Sequence, residues 1–366
     1  MKALSAIKFL LILLAFLAGF SGRVLADYQF SPGLSIQGPG KAKGAIIWNH
    51  GLARLGDPNP ILPPYLKALE GDGWDVFKLV RLWSGDKEYD SSQALLTEGK
   101  KLKDQGYRQV VTAGQSFGGW ISFIATADEG NPFDALIATA PAAHGEFGQS
   151  SNWQRNAGYL YPLVKRMKPI PALVFFFAKD NYDPGGRGLE LRAIFEGKNQ
   201  PYGLIDQPSG HSGHGAASSA IFARQFGPCL VSFLEASSTL KGSFDCPAVA
   251  SKADLSAFSL PEGMAQPPGG TGLPGRWMGA LENGRDALLQ IEELADGVGK
   301  AVYAWGARGD KAGYLQLSGR LEGDVLRLIG AKVIVEFRQT GEDRGEIRWM
   351  RPDGSNVLSG KLERSR

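Results

Sequence analysis

Between residues 43 and 235 the chain alternates short, almost wholly apolar runs with amphipathic stretches, and Gly, Pro and Asp separate them. A strand that is apolar on both faces cannot lie on a wetted sheet. Residues 45–49, 75–79, 109–113, 135–138, 172–177 and 203–205 therefore predict a sheet covered on both sides. The stretches 64–70, 92–104, 120–127, 189–195 and 219–235 predict the covering helices. Strand, helix, strand in succession makes the neighbours parallel, so the expected fold class is a doubly wound, mostly parallel α/β sheet. No strand is expected between residues 27 and 44.

The first 26 residues read separately. A basic start, an apolar run over residues 9–20 and the small-residue exit Val24-Leu25-Ala26 predict a secretory signal cleaved before Asp27. The run is too short to span a bilayer comfortably, so no membrane anchor is expected after cleavage. Lys2, Lys8 and Arg23 belong to that segment, and without them the 40 basic residues become 37 against 37 acidic ones. A neutral mature chain has no overall attraction for phosphate, which argues against a nucleic-acid partner. Cys229 and Cys246 are the only cysteines, and in an oxidising periplasmic or extracellular compartment they are expected to pair.

The texture changes after Cys246. Residues 251–274 are rich in Pro and Gly and read as a linker between a domain at 27–250 and a second at 275–366. The second contains eight strand-length runs punctuated by Asn283-Gly284, Asp296-Gly297, Gly309-Asp310, Gly323-Asp324 and Asp353-Gly354. Such dipeptides join antiparallel neighbours, so a meander closing into a small β-barrel is expected. This tail offers no histidine, no cysteine and no paired acids at catalytic spacing. Its removal is accordingly expected to leave chemistry on a small soluble substrate intact.

Chemistry is expected in the first domain. Gly114-Gln115-Ser116-Phe117-Gly118-Gly119 lies between a buried strand and a helix, where a serine on a strained turn exposes its hydroxyl above the sheet. All four histidines, His50, His144, His211 and His214, follow predicted strands, the edge at which open α/β sheets bind ligands. Ser116, then Asp180 or Asp183, then His211 or His214 satisfy the chain order Ser, Asp, His. Histidines 50, 211 and 214 with an Asp form an alternative metal set. His-x-x-His in a Gly-rich loop lacks helical preorganisation, however, and no metal or cofactor is expected.

These pieces together resemble the α/β-hydrolase superfamily, and within it the dienelactone-hydrolase-like serine esterases. The resemblance rests on the elbow at 114–119, His50-Gly51 at a strand end, the acid loop 178–184 and the loop 210–215. It implies acyl transfer to water. Ser116 is then the nucleophile, His214 the base and Asp180 the acid, with His211 and Asp183 as alternatives. Asp180 is favoured because the family's acids tend to stand four positions before a proline, here Pro184, and His214 because one glycine separates it from the next helix. The backbone near Phe117, Gly51 and Leu52 would form the oxyanion site, with His50 shaping its turn. Gln115, His144 and Trp153 are candidates for lining the substrate cleft. Phe147, Trp153, Tyr159 and Tyr161 would form an aromatic lid or pack on the core. Gly275-Arg276-Trp277 resembles the opening of lipocalin-like barrels and makes carbohydrate or lipid a candidate contact of the tail.

The reading that follows is an exported serine hydrolase acting on small-molecule or polymeric esters. A non-catalytic glycan- or lipid-binding protein on a hydrolase scaffold is the competing one.

Overall fold

The structure, a computed structural model, describes residues 28–52, 59–81, 87–246, 255–264, 272–308 and 310–365. The signal segment and residues 251–254 and 265–271 of the stretch read as a linker lie outside the described residues.

The first layer system runs β1 (Tyr28–Pro32), β2 (Ala45–Asn49), α1 (Tyr65–Gly71), β3 (Asp75–Arg81), α2 (Glu88–Asp104), β4 (Val110–Gln115), α3 (Phe117–Thr126), β5 (Ala135–Thr139), α4 (Arg155–Arg166), β6 (Ala172–Phe176), α5 (Gly188–Gly197), β7 (Tyr202–Asp206) and α6 (Ala220–Ala236). The sheet order is β1-β3-β2-β4-β5-β6-β7. Only β1 is antiparallel to its neighbour.

This is the doubly wound, mostly parallel arrangement expected from the sequence, and the apolar runs explain it. Alternate residues serve opposite faces. Ile46, Trp48, Val111, Ile137 and Phe175 pack on one side with Tyr65 and Leu69 of α1 and Phe222, Phe226 and Phe233 of α6. On the other side Ile47 and Val110 meet Leu95 of α2 and Ile121 of α3. Further along that face Leu136, Val174 and Phe176 meet Leu160 of α4 and Phe195 of α5.

Two elements depart from the sequence reading. Strand β1 forms where none was expected, because Phe30 stacks on Phe77 at 5.2 Å and the Tyr28 hydroxyl donates to Glu98 at 2.8 Å. It is a short edge strand ending in Pro32, and its pairing depends on neighbours distant in sequence. Helix α4 occupies much of the stretch read as an aromatic segment, and Pro162 within it obscured the helical period.

Eight further strands follow: β8 (Gly275–Leu281), β9 (Asp286–Ala295), β10 (Val298–Trp305), β11 (Gly313–Glu322), β12 (Val325–Ile329), β13 (Ile334–Gly341), β14 (Arg344–Met350) and β15 (Leu358–Ser365). Each pairs antiparallel with the next, and β15 returns to β8 to close the barrel. Its interior is filled by Trp277, Leu289, Tyr303, Leu326, Phe337 and Ile347. Asp296 and Gly297 both take positive φ, 50° and 74°, as the two-residue turn between β9 and β10 requires. Residues 255–264 lie on this barrel, with Phe258 bridging to Gly306 and packed among Leu288, Ala304 and Ile221 of α6.

Cys229 of α6 and Cys246 form the expected disulfide, with Cα atoms 5.0 Å apart and a separation of 17 positions in sequence. It ties the last helix of the sheet to the segment that leaves it. Replacing both cysteines by alanine should lower the unfolding free energy by about 3 kcal/mol, the chain-entropy value for such a loop. Urea denaturation of the double variant beside the wild type measures this, and an unchanged midpoint and slope would contradict it.

Candidate active site

The turn from β4 into α3 places Ser116 at φ 54° and ψ −122°, a conformation L-residues rarely adopt. The surroundings hold it there. The Ser116 amide donates to Thr139 O at 3.0 Å, and its carbonyl accepts from the amides of Trp120 and Ala142 at 3.0 and 3.2 Å. Side chains at the two flanking glycines are excluded by backbone. A Cβ on Gly114 would lie 2.3 Å from the Gly118 carbonyl carbon, and one on Gly118 would lie 2.1 Å from Asn49 O.

His214 reaches the serine from the loop after β7. Its Nε2 lies 2.6 Å from Ser116 Oγ, while its Nδ1 lies 3.0 and 3.1 Å from the two carboxylate oxygens of Asp180. A carboxylate can only accept, so Nδ1 carries the proton and Nε2 is free to take one from the hydroxyl. The Asp180 side chain is fully buried, and the Tyr182 amide donates to it at 2.8 Å. The Tyr182 ring lies against the imidazole with centroids 4.2 Å apart. Two backbone links join the loops: Ala178 and Ser212 pair in a parallel bridge, and the Gly213 amide donates to Ala178 O at 2.7 Å. Gln115 fixes the far side, its Nε2 donating to His214 O at 3.1 Å.

The other acid and the other histidine are engaged elsewhere. Asp183 pairs with Arg187 at 3.0 Å, both side chains buried. Burial pushes its carboxyl up to about 6 against the pull of that guanidinium. Arg187 in turn donates to Pro141 O at 2.7 Å and lies over the Phe176 ring, so Asp183 anchors the acid loop to the sheet. His211 is buried between Phe222 and Phe226 with Nε2 2.7 Å from Gln225 Oε1, and burial lowers its pKa.

Beneath the expected oxyanion turn, His50 accepts the Arg81 amide at Nε2, 2.9 Å away, while Nδ1 meets Gly51 O at 2.5 Å. Burial, reinforced by the Arg81 charge, lowers its pKa to about 3. Gly51 sits directly against the serine, since a Cβ there would lie 3.3 Å from Ser116 Cβ. Leu52 is exposed and Phe117 is buried at the first position of α3.

Farther out, the His144 ring meets Trp120 and Tyr159 edge-on, each at 5.2 Å, and Trp153 meets Phe147 at 5.3 Å. This segment adjoins the acid loop: Phe147 N donates to Asn181 O at 2.9 Å, and the Tyr182 hydroxyl donates to Glu146 at 2.8 Å. Sequence reading missed Tyr182 and Asn156. Asn156 is buried and accepts the amides of Ala143 and His144 at 3.0 and 2.9 Å. A polar residue facing inward from an otherwise amphipathic helix was its only signal. Among the described residues no group of three or more His, Cys, Asp or Glu is placed to hold a metal ion.

No family profile and no curated protein matches this sequence. Among solved structures the chain is similar to Est1E from Butyrivibrio proteoclasticus with ferulic acid bound, at 14% identity over 58% of this chain and 96% of that one, with a TM-score of 0.43. It is similar also to an acylaminoacyl peptidase from Pyrococcus horikoshii, at 14% identity over 63% of this chain and 41% of that one, TM-score 0.46. A predicted CIB-like hydrolase from Thermoplasma acidophilum aligns at 17% identity over 57% of this chain and 97% of that one, TM-score 0.39.

The buried, neutral His50 makes stability depend on pH. Below about 6.5 the unfolded chain binds a proton that folded His50 refuses until about 3, so stability falls as pH drops through that window. At pH 5 this one group should cost about 2 kcal/mol relative to pH 7.5. The His50→Gln variant should lose correspondingly less between the two pH values in urea titrations. An identical loss in both proteins would contradict the assignment.

Proposed function

We propose that this protein is an exported serine hydrolase that cleaves carboxylic esters through an acyl-enzyme. The observation that carries the reading is the continuous chain Ser116 Oγ, His214 imidazole, Asp180 carboxylate, at 2.6 and 3.0 Å, on a strained turn. In the proposed cycle Ser116 Oγ attacks the ester carbonyl as its proton passes to His214 Nε2. Asp180 holds the tautomer and stabilises the imidazolium. The Phe117 amide, which has no intrahelical acceptor at the first turn of α3, and a backbone amide at Gly51 or Leu52 would receive the negative oxygen. His214 then protonates the departing alcohol, and water, activated by the same imidazole, frees the acid and restores Ser116. An ester rather than an amide is the substrate class carried over from the resemblance.

Export rests on the N-terminal segment, and the secreted chain should begin at Asp27, as N-terminal sequencing or intact mass would establish. A cavity of about 560 Å³ in the barrel, lined among others by Tyr303, Trp305, Trp349 and Arg285, is the feature that supports an accessory ligand contact there. If the barrel alone were functional, the serine would be inert.

A fluorophosphonate should label the folded protein at Ser116, and Ser116→Ala should abolish labelling without moving the melting temperature. Turnover of a short-chain aryl ester should fall by roughly 10³–10⁴ in Asp180→Asn, as when a triad acid is neutralised, and far less in Asp183→Asn. A wild-type protein that resists the probe, beside a control esterase that accepts it, would overturn the reading.

A further inference from the structure

We infer that the turn between β8 and β9 of the barrel is a positioning element for His214, so that the barrel completes the active site. The inference rests on the proposed triad. It replaces the expectation that the tail can be lost without affecting hydrolysis of a small substrate.

The contact is backbone on backbone. On one side of His214, Gly213 has φ +82°, and a Cβ there would lie 2.4 Å from Glu282 Cα. On the other side, a Cβ on Gly215 would lie 2.7 Å from the Asn283 carbonyl carbon. From the barrel, Gly284 at φ +80° approaches so closely that a Cβ would lie 2.1 Å from Gly215 O. The Gly215 amide donates to Glu282 O at 3.1 Å, and the Glu282 amide donates to Ser359 O of β15 at 2.7 Å. The glycines of the loop 210–215 thus admit the barrel, and the histidine between them is held from a barrel wall.

A second contact holds the element that follows. Asp286, buried at the start of β9, accepts the amides of Ala220 and Ile221 at 2.9 Å each, covering the N-terminus of α6 with a carboxylate. The loop carrying His214 therefore runs into a helix whose first turn is capped by the barrel. Lys179, beside Asp180, pairs with Glu346 of β14 at 2.8 Å, but both groups are exposed and such a pair contributes little.

The test compares Gly284→Val with Gly297→Val in the full chain. Gly297 has φ +74° in another barrel turn, with nothing within 4 Å of a Cβ, so it carries the backbone strain without the contact. Gly284→Val should reduce kcat and the fluorophosphonate labelling rate by about 10- to 100-fold with KM little changed, the scale of a small misplacement of a reacting group. It should also weaken the downfield proton resonance of His214 Nδ1–H in the hydrogen bond to Asp180, and Gly297→Val should leave all three readouts as in the wild type. Equal effects of the two variants, or none from either, would overturn the inference. If the wild type is not labelled, the proposed function fails, and the Nδ1–H resonance in the two variants still decides this inference. Should Gly284→Val fail to fold, Asp286→Asn is the second variant. It should lower the labelling rate several-fold, and an unchanged rate would count against the inference.

Discussion

Everything at the candidate active site depends on how closely two pieces of backbone can approach at the end of β4. Gly118 lies so near Asn49 O that a methyl group cannot enter, and Gly114 lies as near the first turn of α3. That compression drives Ser116 into its unusual conformation and lifts the hydroxyl clear of the sheet, at a cost of order 1–3 kcal/mol for such a backbone. The covered sheet and the buried amide and carbonyl bonds at Ser116 offset the cost. The hydroxyl needs no rearrangement to meet His214.

The charged groups divide along the same logic. Two aspartates three residues apart begin from equivalent positions, but Arg187, four residues after Asp183, captures the second and lashes its loop to Pro141. Asp180 is left with an amide and an imidazole as partners. The histidines divide likewise: His211 has two phenylalanine rings and a glutamine, His50 has the Arg81 backbone, and only His214 faces the serine. Burial keeps the first two neutral.

This division marks how far the sequence could be read. The covered sheet and all eight barrel strands were legible, because burial on both faces and tight-turn dipeptides leave local marks. Strand β1 left none, since five half-exposed residues pair only through contacts with β3, and Pro162 hid the period of α4. At the site, residue types and chain order were legible from 114–119 and 210–215. The resemblance favoured Asp180 and His214, while the residues alone left Asp183 and His211 open: Arg187 stands only four positions from Asp183, but the burial of that pair, like the partnership of Gln225 with His211, takes shape only in the fold. Gly213, Gly215 and Gly284 carried a signal of a different kind: their meaning was the surface that would press on them.

The barrel closes through the pairing of β15 with β8, the pairing between its most distant strands in sequence. Loop-closure entropy makes such a contact slow to form, and every strand of the barrel must emerge before it can. The elbow bearing Ser116, by contrast, is assembled from β4, α3 and the neighbouring strand β2, all completed far earlier in synthesis. Ser359, which fixes the turn beside His214, belongs to that last strand. The order of synthesis thus becomes an order of assembly: the elbow carrying Ser116 is shaped first, and the loop carrying His214 meets its barrel contact only when the final strand has joined.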